Sequence, residues 1–136
     1  MLSSTFQKRV RYAETDRMGY LYYGHYAQLY EIGRAETIRE LGITYREMEE
    51  DHGFMMPVVS LECRYHYPAT YDDLLTIETE LREMPTKMIT FHHVIKNADL
   101  QVLNKGVVKL FFIETETQRR VSCPAYLEEK LGPYFE

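Results

Sequence analysis

The sequence has no tryptophan, two cysteines and five prolines in 136 residues, and each shortage removes a class of protein. Cys63 and Cys123 form no CxxC pair, so a disulfide framework is not encoded and a reducing compartment is expected. No HxxxH, HExxH or Cys/His cluster occurs, which predicts no metal site. Apolar runs are short: the longest uncharged stretch near the middle, Gly53 to Leu61, falls well below the roughly 20 residues of a membrane helix. Residues Met1 to Asp16 contain no apolar leader segment, so no secretory signal is expected and the protein is read as cytoplasmic. Positive charge is also scarce. Sixteen Lys and Arg against 21 Asp and Glu leave a net charge of -5, which disfavours a sequence-independent grip on nucleic acid or an anionic membrane. There is no GxSxG elbow for a serine nucleophile, and Gly19 with Gly24 makes no dinucleotide fingerprint.

What is present is ordinary globular material: 45% apolar residues, rich in tyrosine, enough for one core and too short for two catalytic domains. A single domain over residues 1–136 is expected. Thr5 to Tyr12 reads as a short mixed strand that ends in a polar loop, Glu14 to Gly19. From Tyr22 to Leu41 the spacing is helical, with Tyr23, Tyr26, Ala27, Tyr30, Gly33, Arg34, Thr37, Ile38 and Leu41 on one face. Gly42 supplies the stop, Thr44 to Glu47 has capping-box spacing for a second, shorter helix, and Gly53 closes it. After Pro57 the period becomes two. Val59, Leu61, Cys63, Tyr65 and Tyr67 alternate with polar residues, which predicts one core face and one wet face up to Pro68. Leu75 to Arg82, Lys87 to Lys96 and Val102 to Glu114 follow as strands, and Ala125 to Leu131 as a short helix. A helix followed by an uninterrupted strand meander cannot build βαβ crossovers, so the class is α+β with five or six antiparallel strands. One helix leaves part of such a sheet uncovered, which favours a partner chain.

Asp16 is the polar residue best placed for chemistry. It lies in a loop feeding the long helix, Gly19 allows a close backbone approach, and the free N–H groups near Tyr22 to Gly24 form an anion-stabilising array. A carboxylate beside such donors can attack or activate water while the helix end takes up carbonyl charge. A plain loop or N-cap aspartate fits the same spacing. His92 and His93 are adjacent in a strand and point to opposite faces, and His25 stands at the helix start as a possible base. Glu31 with Arg34, and Glu36 with Arg39, have ion-pair spacing. The tyrosines from Tyr20 to Tyr30 suit either a pocket lining or amphipathic core.

Thr15 to Tyr23, with Tyr26 and Tyr30-Glu31, resembles the active loop and central helix of hot-dog-fold acyl-CoA thioesterases of the 4-hydroxybenzoyl-CoA thioesterase type. Pro57 to Ser60 and Tyr71 to Thr79 look like the second and third strands of that family, so the resemblance covers nearly the whole chain. It implies a long helix wrapped by a curved antiparallel sheet, paired as a homodimer or homotetramer, acting on an acyl-CoA substrate without a cofactor. By resemblance Asp16 is the nucleophile or general base and Tyr23 supplies the oxyanion N–H. Gly19 and Tyr22 belong to the substrate-binding loop, Pro57 and Val58 line the acyl pocket from the partner chain, and Lys87 meets the coenzyme A phosphates. Arg64, Arg82, Arg119 and Arg120 are weaker phosphate candidates. Two alternatives stand beside thioester hydrolysis. One is a β-hydroxyacyl-thioester dehydratase or hydratase using His25 and a helix carboxylate such as Glu31, which the lack of a histidine in the active loop disfavours. The other is a non-catalytic acyl-thioester binding module, against which the intact Asp16 argues.

Overall fold

The computed structural model describes residues 1–136. Its frame is five long strands: β1 (Leu2–Arg9), β3 (Val58–Tyr65), β4 (Leu74–Leu81), β5 (Met88–Lys96) and β6 (Val102–Glu114). They pair antiparallel in the spatial order β1-β4-β5-β6-β3. Two two-residue strands, β2 (Phe54–Met55) and β7 (Arg120–Val121), pair with the far end of β6 and bring the total to seven, above the five or six expected. They escape a reading by periodicity because two residues show no period.

The main helix, α1 (Tyr26–Glu40), packs across β1, β4 and β5. Residues Tyr23–His25 form a tighter 3-10 turn ahead of it, so the regular helix starts later than the spacing predicts. Tyr26, Tyr30, Gly33, Arg34, Thr37 and Ile38 are buried as expected, together with Leu29. Tyr23 and Ala27 are exposed instead, because they precede or flank the stripe that meets the sheet. Gly42 and Gly53 take φ values of +84° and +70°, the left-handed conformation anticipated after each helix. In the helix between them, α2 (Tyr45–Glu50), the Thr44 hydroxyl accepts the Glu47 N–H at 3.1 Å. The last helix, α3 (Ala125–Leu131), closes one end of the core with Leu127 and Leu131.

The inner face of the sheet carries Leu75, Ile77, Leu81, Ile89, Phe91, Ile95, Val108 and Leu110, all buried against the helix layer. His93 is inside and His92 outside, as adjacent strand residues must be. Burial, then the nearby Arg34 charge, lowers the His93 pKa to about 3, so its ring is neutral at physiological pH.

The two edge strands differ in chemistry. The exposed residues of β1 are Ser3, Thr5, Gln7 and Arg9. Those of β3 include Val58, Val59, Leu61 and Tyr65, each more than 40% exposed. The alternation in β3 is real, but only Cys63 is half-buried, so the predicted core face is open along nearly its whole length. The chain alone has nothing on that side to cover it. The strand also stops at Tyr65, because His66 and Tyr67 turn their N–H groups to the Leu103 carbonyl. No helix is long and apolar enough to cross a membrane.

Candidate active site

Asp16 stands at the base of a tight hairpin. Thr15 and Leu21 bridge across it, and the Asp16 N–H donates to the Tyr20 carbonyl at 2.8 Å. Arg17, Met18 and Gly19 make the tip, where the Gly19 N–H donates to the Asp16 carbonyl at 3.0 Å. Gly19 has φ +82°, the conformation that closes a three-residue loop of this kind. The Asp16 carboxylate helps to hold its own loop: Oδ1 accepts N–H bonds from Met18 at 2.9 Å and Tyr20 at 3.1 Å, while Oδ2 bonds to nothing in the chain.

Glu14 anchors the segment from behind. Its side chain takes the Lys8 ammonium and the Arg11 N–H, both at 2.8 Å. Burial works to raise its pKa, but these contacts outweigh it and hold the carboxyl below its usual value. The Glu14 carbonyl accepts the Tyr22 N–H at 2.9 Å. That bond removes Tyr22 from the expected anion-stabilising array and leaves the N–H groups of Tyr23 and Gly24 without an acceptor. A Cβ on Gly24 would come within 2.7 Å of the Tyr22 ring, so glycine lets that ring fold over the helix start.

A cleft of about 250 Å³ opens beside Asp16. Its walls are Met18, Tyr20 and Leu21 from the loop, Tyr23 and Tyr26 from the helix start, and Tyr65 to Pro68 from the end of β3. The Tyr65 hydroxyl donates to the Tyr23 carbonyl at 3.1 Å, and its ring meets Tyr26 edge-on with centroids 5.2 Å apart. Burial, with Cys63 nearby, pushes the Tyr65 phenol further above its usual pKa, so it serves here as a neutral donor and not as a base. The wall from Tyr65 to Pro68 escaped sequence reasoning. Its available signal was the aromatic spacing of Tyr65 and Tyr67, which only spatial proximity ties to Asp16.

The structure thus brings Asp16 and Tyr23 together and leaves other predicted residues apart. Gly19 shapes the loop tip and Tyr22 caps the helix start, but neither lines the cleft. Pro57 and Val58 sit at the opposite end of β3 from Tyr65, about 23 Å away at strand rise. Lys87 lies on the outer face of the sheet, in an open groove with Arg82, His92 and Lys109 that shares no wall with the Asp16 cleft. Arg64 stands directly opposite Lys105 between β3 and β6 and lines an adjoining hollow. Arg119 and Arg120 are not part of that surface, and the Arg120 guanidinium lies 4.0 Å from the centre of the Phe111 ring. His25 Nδ1 is engaged with Gln28 Oε1 at 3.0 Å, and neither His25 nor Glu31 lines the cleft. Of the two expected helix ion pairs, Glu36 and Arg39 meet, whereas Glu31 and Arg34 do not.

Residues 18–103 match the thioesterase superfamily. The chain is 31% identical over 120 residues to an acyl-CoA thioesterase, YbgC, of Haemophilus influenzae, covering 88% of each protein. It is 26% identical over 135 residues to the 4-hydroxybenzoyl-CoA thioesterase of a Pseudomonas species, covering 93% of this chain and 96% of the other. A DHNA-CoA thioesterase structure from Staphylococcus aureus superimposes with a TM-score of 0.89 at 28% identity, over 98% of this chain and 89% of that one.

Proposed function

The chain belongs to the thioesterase superfamily with the hot-dog fold, and from that membership we propose that it hydrolyses an acyl-CoA thioester at Asp16. The observation that carries this reading is a carboxylate fixed by its own loop, with one oxygen free, in the same cleft as a helix start bearing two unpartnered N–H groups. With Asp16 as general base, water adds to the thioester carbonyl and the C–S bond breaks. With Asp16 as nucleophile, its oxygen attacks first, the C–S bond breaks to leave an acyl-aspartyl anhydride, and water then cleaves that anhydride and frees Asp16. Either way coenzyme A leaves as the thiol and the acid is released. The N–H groups of Tyr23 and Gly24 receive the charge that gathers on the carbonyl oxygen. A thioester lacks ester resonance and has a good leaving group, so this sparse set suffices without a metal or a triad. Release of free thiol from a panel of acyl-CoAs tests the reading, and no release from any of them would end it.

The substrate pocket in this reading is shared between two copies. β3 has an unpaired edge with apolar side chains in the open. If that edge pairs antiparallel with its own copy about a dyad between Leu61 and Glu62, Val58 stands opposite the partner's Tyr65. The Pro57 end of one chain then meets the Asp16 cleft of the other. Sedimentation should show at least a homodimer at assay concentrations. Mixing Asp16→Asn chains with Val58→Trp chains should restore part of the activity that each lacks alone, and an active monomer would remove the idea.

On the outer face, Lys87, Arg64, Lys105 and Lys109 make no salt bridge, and Arg64 faces Lys105 as a like-charge pair. This is the surface to which coenzyme A phosphates are assigned here. Lys87→Ala should raise KM for CoA esters with kcat nearly unchanged, and leave a truncated thioester without the nucleotide unaffected. Salt should raise the KM of the unmutated enzyme more than that of the variant. Equal effects on full-length and truncated esters would make Lys87 a solvated turn residue.

A further inference from the structure

Arg34 is the one arginine buried in this protein, with 6% of its surface exposed. Its Nε and Nη1 are sealed from solvent without an acceptor, and no carboxylate comes within 4 Å of the guanidinium. The hydroxyl of Tyr45 is also buried without a partner. Both side chains line one hollow of about 240 Å³, whose other walls include Glu31, Glu49, Met56 and Val58. A guanidinium cannot shed its charge, and a buried charged donor left unsatisfied is more costly than a neutral one. His93 Nε2 and the Tyr45 oxygen both lie close enough to feel the Arg34 charge, yet neither meets hydrogen-bond geometry, and together they could match only two N–H bonds of a five-donor group. The remaining donors call for an acceptor from outside the chain.

The position of the hollow says where that acceptor comes from. Val58 lines it, and in the edge-to-edge pairing described above Val58 stands against the partner's Tyr65, a wall of the partner's Asp16 cleft. In that pairing the hollow of one copy would continue the cleft of the other. Resting on that reading of the site, we propose that Arg34, with Tyr45 beside it, is the specificity-determining end of the acyl pocket and receives the terminal carboxylate of a dicarboxylic acyl group. A carboxylate in the hollow meets the guanidinium first at Nη2, the one nitrogen that is not sealed, and rotation of Arg34 and Tyr45 toward it completes the two-bond fork and adds the Tyr45 hydroxyl as a donor. A methyl-ended acyl chain of the same length leaves the charge unpaired. Glu31 and Glu49 are exposed, where water and salt screen them. They weaken the attraction without satisfying Arg34, so removing one should sharpen the preference.

The test measures kcat/KM for succinyl-, glutaryl- and adipyl-CoA against butyryl-, valeryl- and hexanoyl-CoA. At one length or more, the dicarboxylic ester should be favoured by about 10-fold or more. Arg34→Met should reverse that preference through KM while sparing the neutral ester, Tyr45→Phe should reduce it, and Glu49→Gln should increase it. Tyr45→Phe and Glu49→Gln keep the test alive if Arg34→Met does not fold. Preference for the neutral ester at all three lengths overturns the proposal, as does an equal loss on both members of each pair in Arg34→Met. A failure of the thioesterase reading looks different, because the wild type then releases no thiol from any acyl-CoA. In that case, calorimetry with succinate, glutarate and adipate decides the role of Arg34 alone. Binding by wild type that Arg34→Met abolishes upholds it, and no binding of any of the three rejects it.

Discussion

Asp16→Asn is expected to lower turnover by about 10²-fold or more while leaving the melting temperature nearly unchanged. The separation of the two effects follows from the division of labour on the carboxylate. Oδ1 holds the loop through the N–H groups of Met18 and Tyr20, and an asparagine carbonyl oxygen can accept both. What asparagine cannot supply is the negative charge that, in the proposed reaction, attacks the thioester carbonyl or deprotonates water. Steady-state rates with the best acyl-CoA, read beside a thermal melt, separate a chemical loss from a folding loss. A variant with near-normal rates and an unchanged melt would make Asp16 an ordinary turn aspartate.

Gly106→Val should destabilise the fold by about 3 kcal/mol, or roughly 10 °C in melting temperature. Gly106 lies on the inner face of β6, and a Cβ there would overlap the Tyr30 ring and hydroxyl. Tyr30 has no room to retreat. It is fully buried, stacks on His93 with centroids 4.8 Å apart, and bonds through its hydroxyl to Asn104 Oδ1 and to Cys63 Sγ. Burial pushes its phenol further above the usual pKa, so the group stays neutral and the loss is one of packing and hydrogen bonding. In a Tyr30→Leu background the same valine should cost much less, because the ring it strikes is gone. A Gly106→Val protein that melts like the wild type would show that Tyr30 is not pinned.

Legibility in the sequence followed the range of the interactions involved. The strands β4, β5 and β6 and the helix α3 were readable because period and turn residues act locally, and their expected bounds hold to within a residue. The stops at Gly42 and Gly53 were readable for the same reason. β3 shows the limit. Its alternation is plain, but the apolar face it predicts lies open in the single chain, and periodicity does not specify what covers a face. Arg34 shows another. Helical spacing puts it on the buried face, as found, and also three residues from Glu31, but which of the two the guanidinium follows is a choice of rotamer that spacing does not specify. The cleft walls from Tyr65 to Pro68 come from a strand far along the chain, so only the fold brings them to Asp16.

The contrast between the two edge strands also governs where growth stops. Pairing through β3 would produce a continuous sheet bounded at both extremities by β1. There the outward side chains are Ser3, Thr5, Gln7 and Arg9, and Arg9 is tied back to the Asp72 carbonyl at 2.7 Å. Such a rim gives a third strand no apolar surface to cover, so it resists polymerisation into fibres. Concentrated solutions should therefore hold discrete particles and no filaments, and an apolar residue in place of Thr5 or Gln7 would be the change that invites runaway stacking.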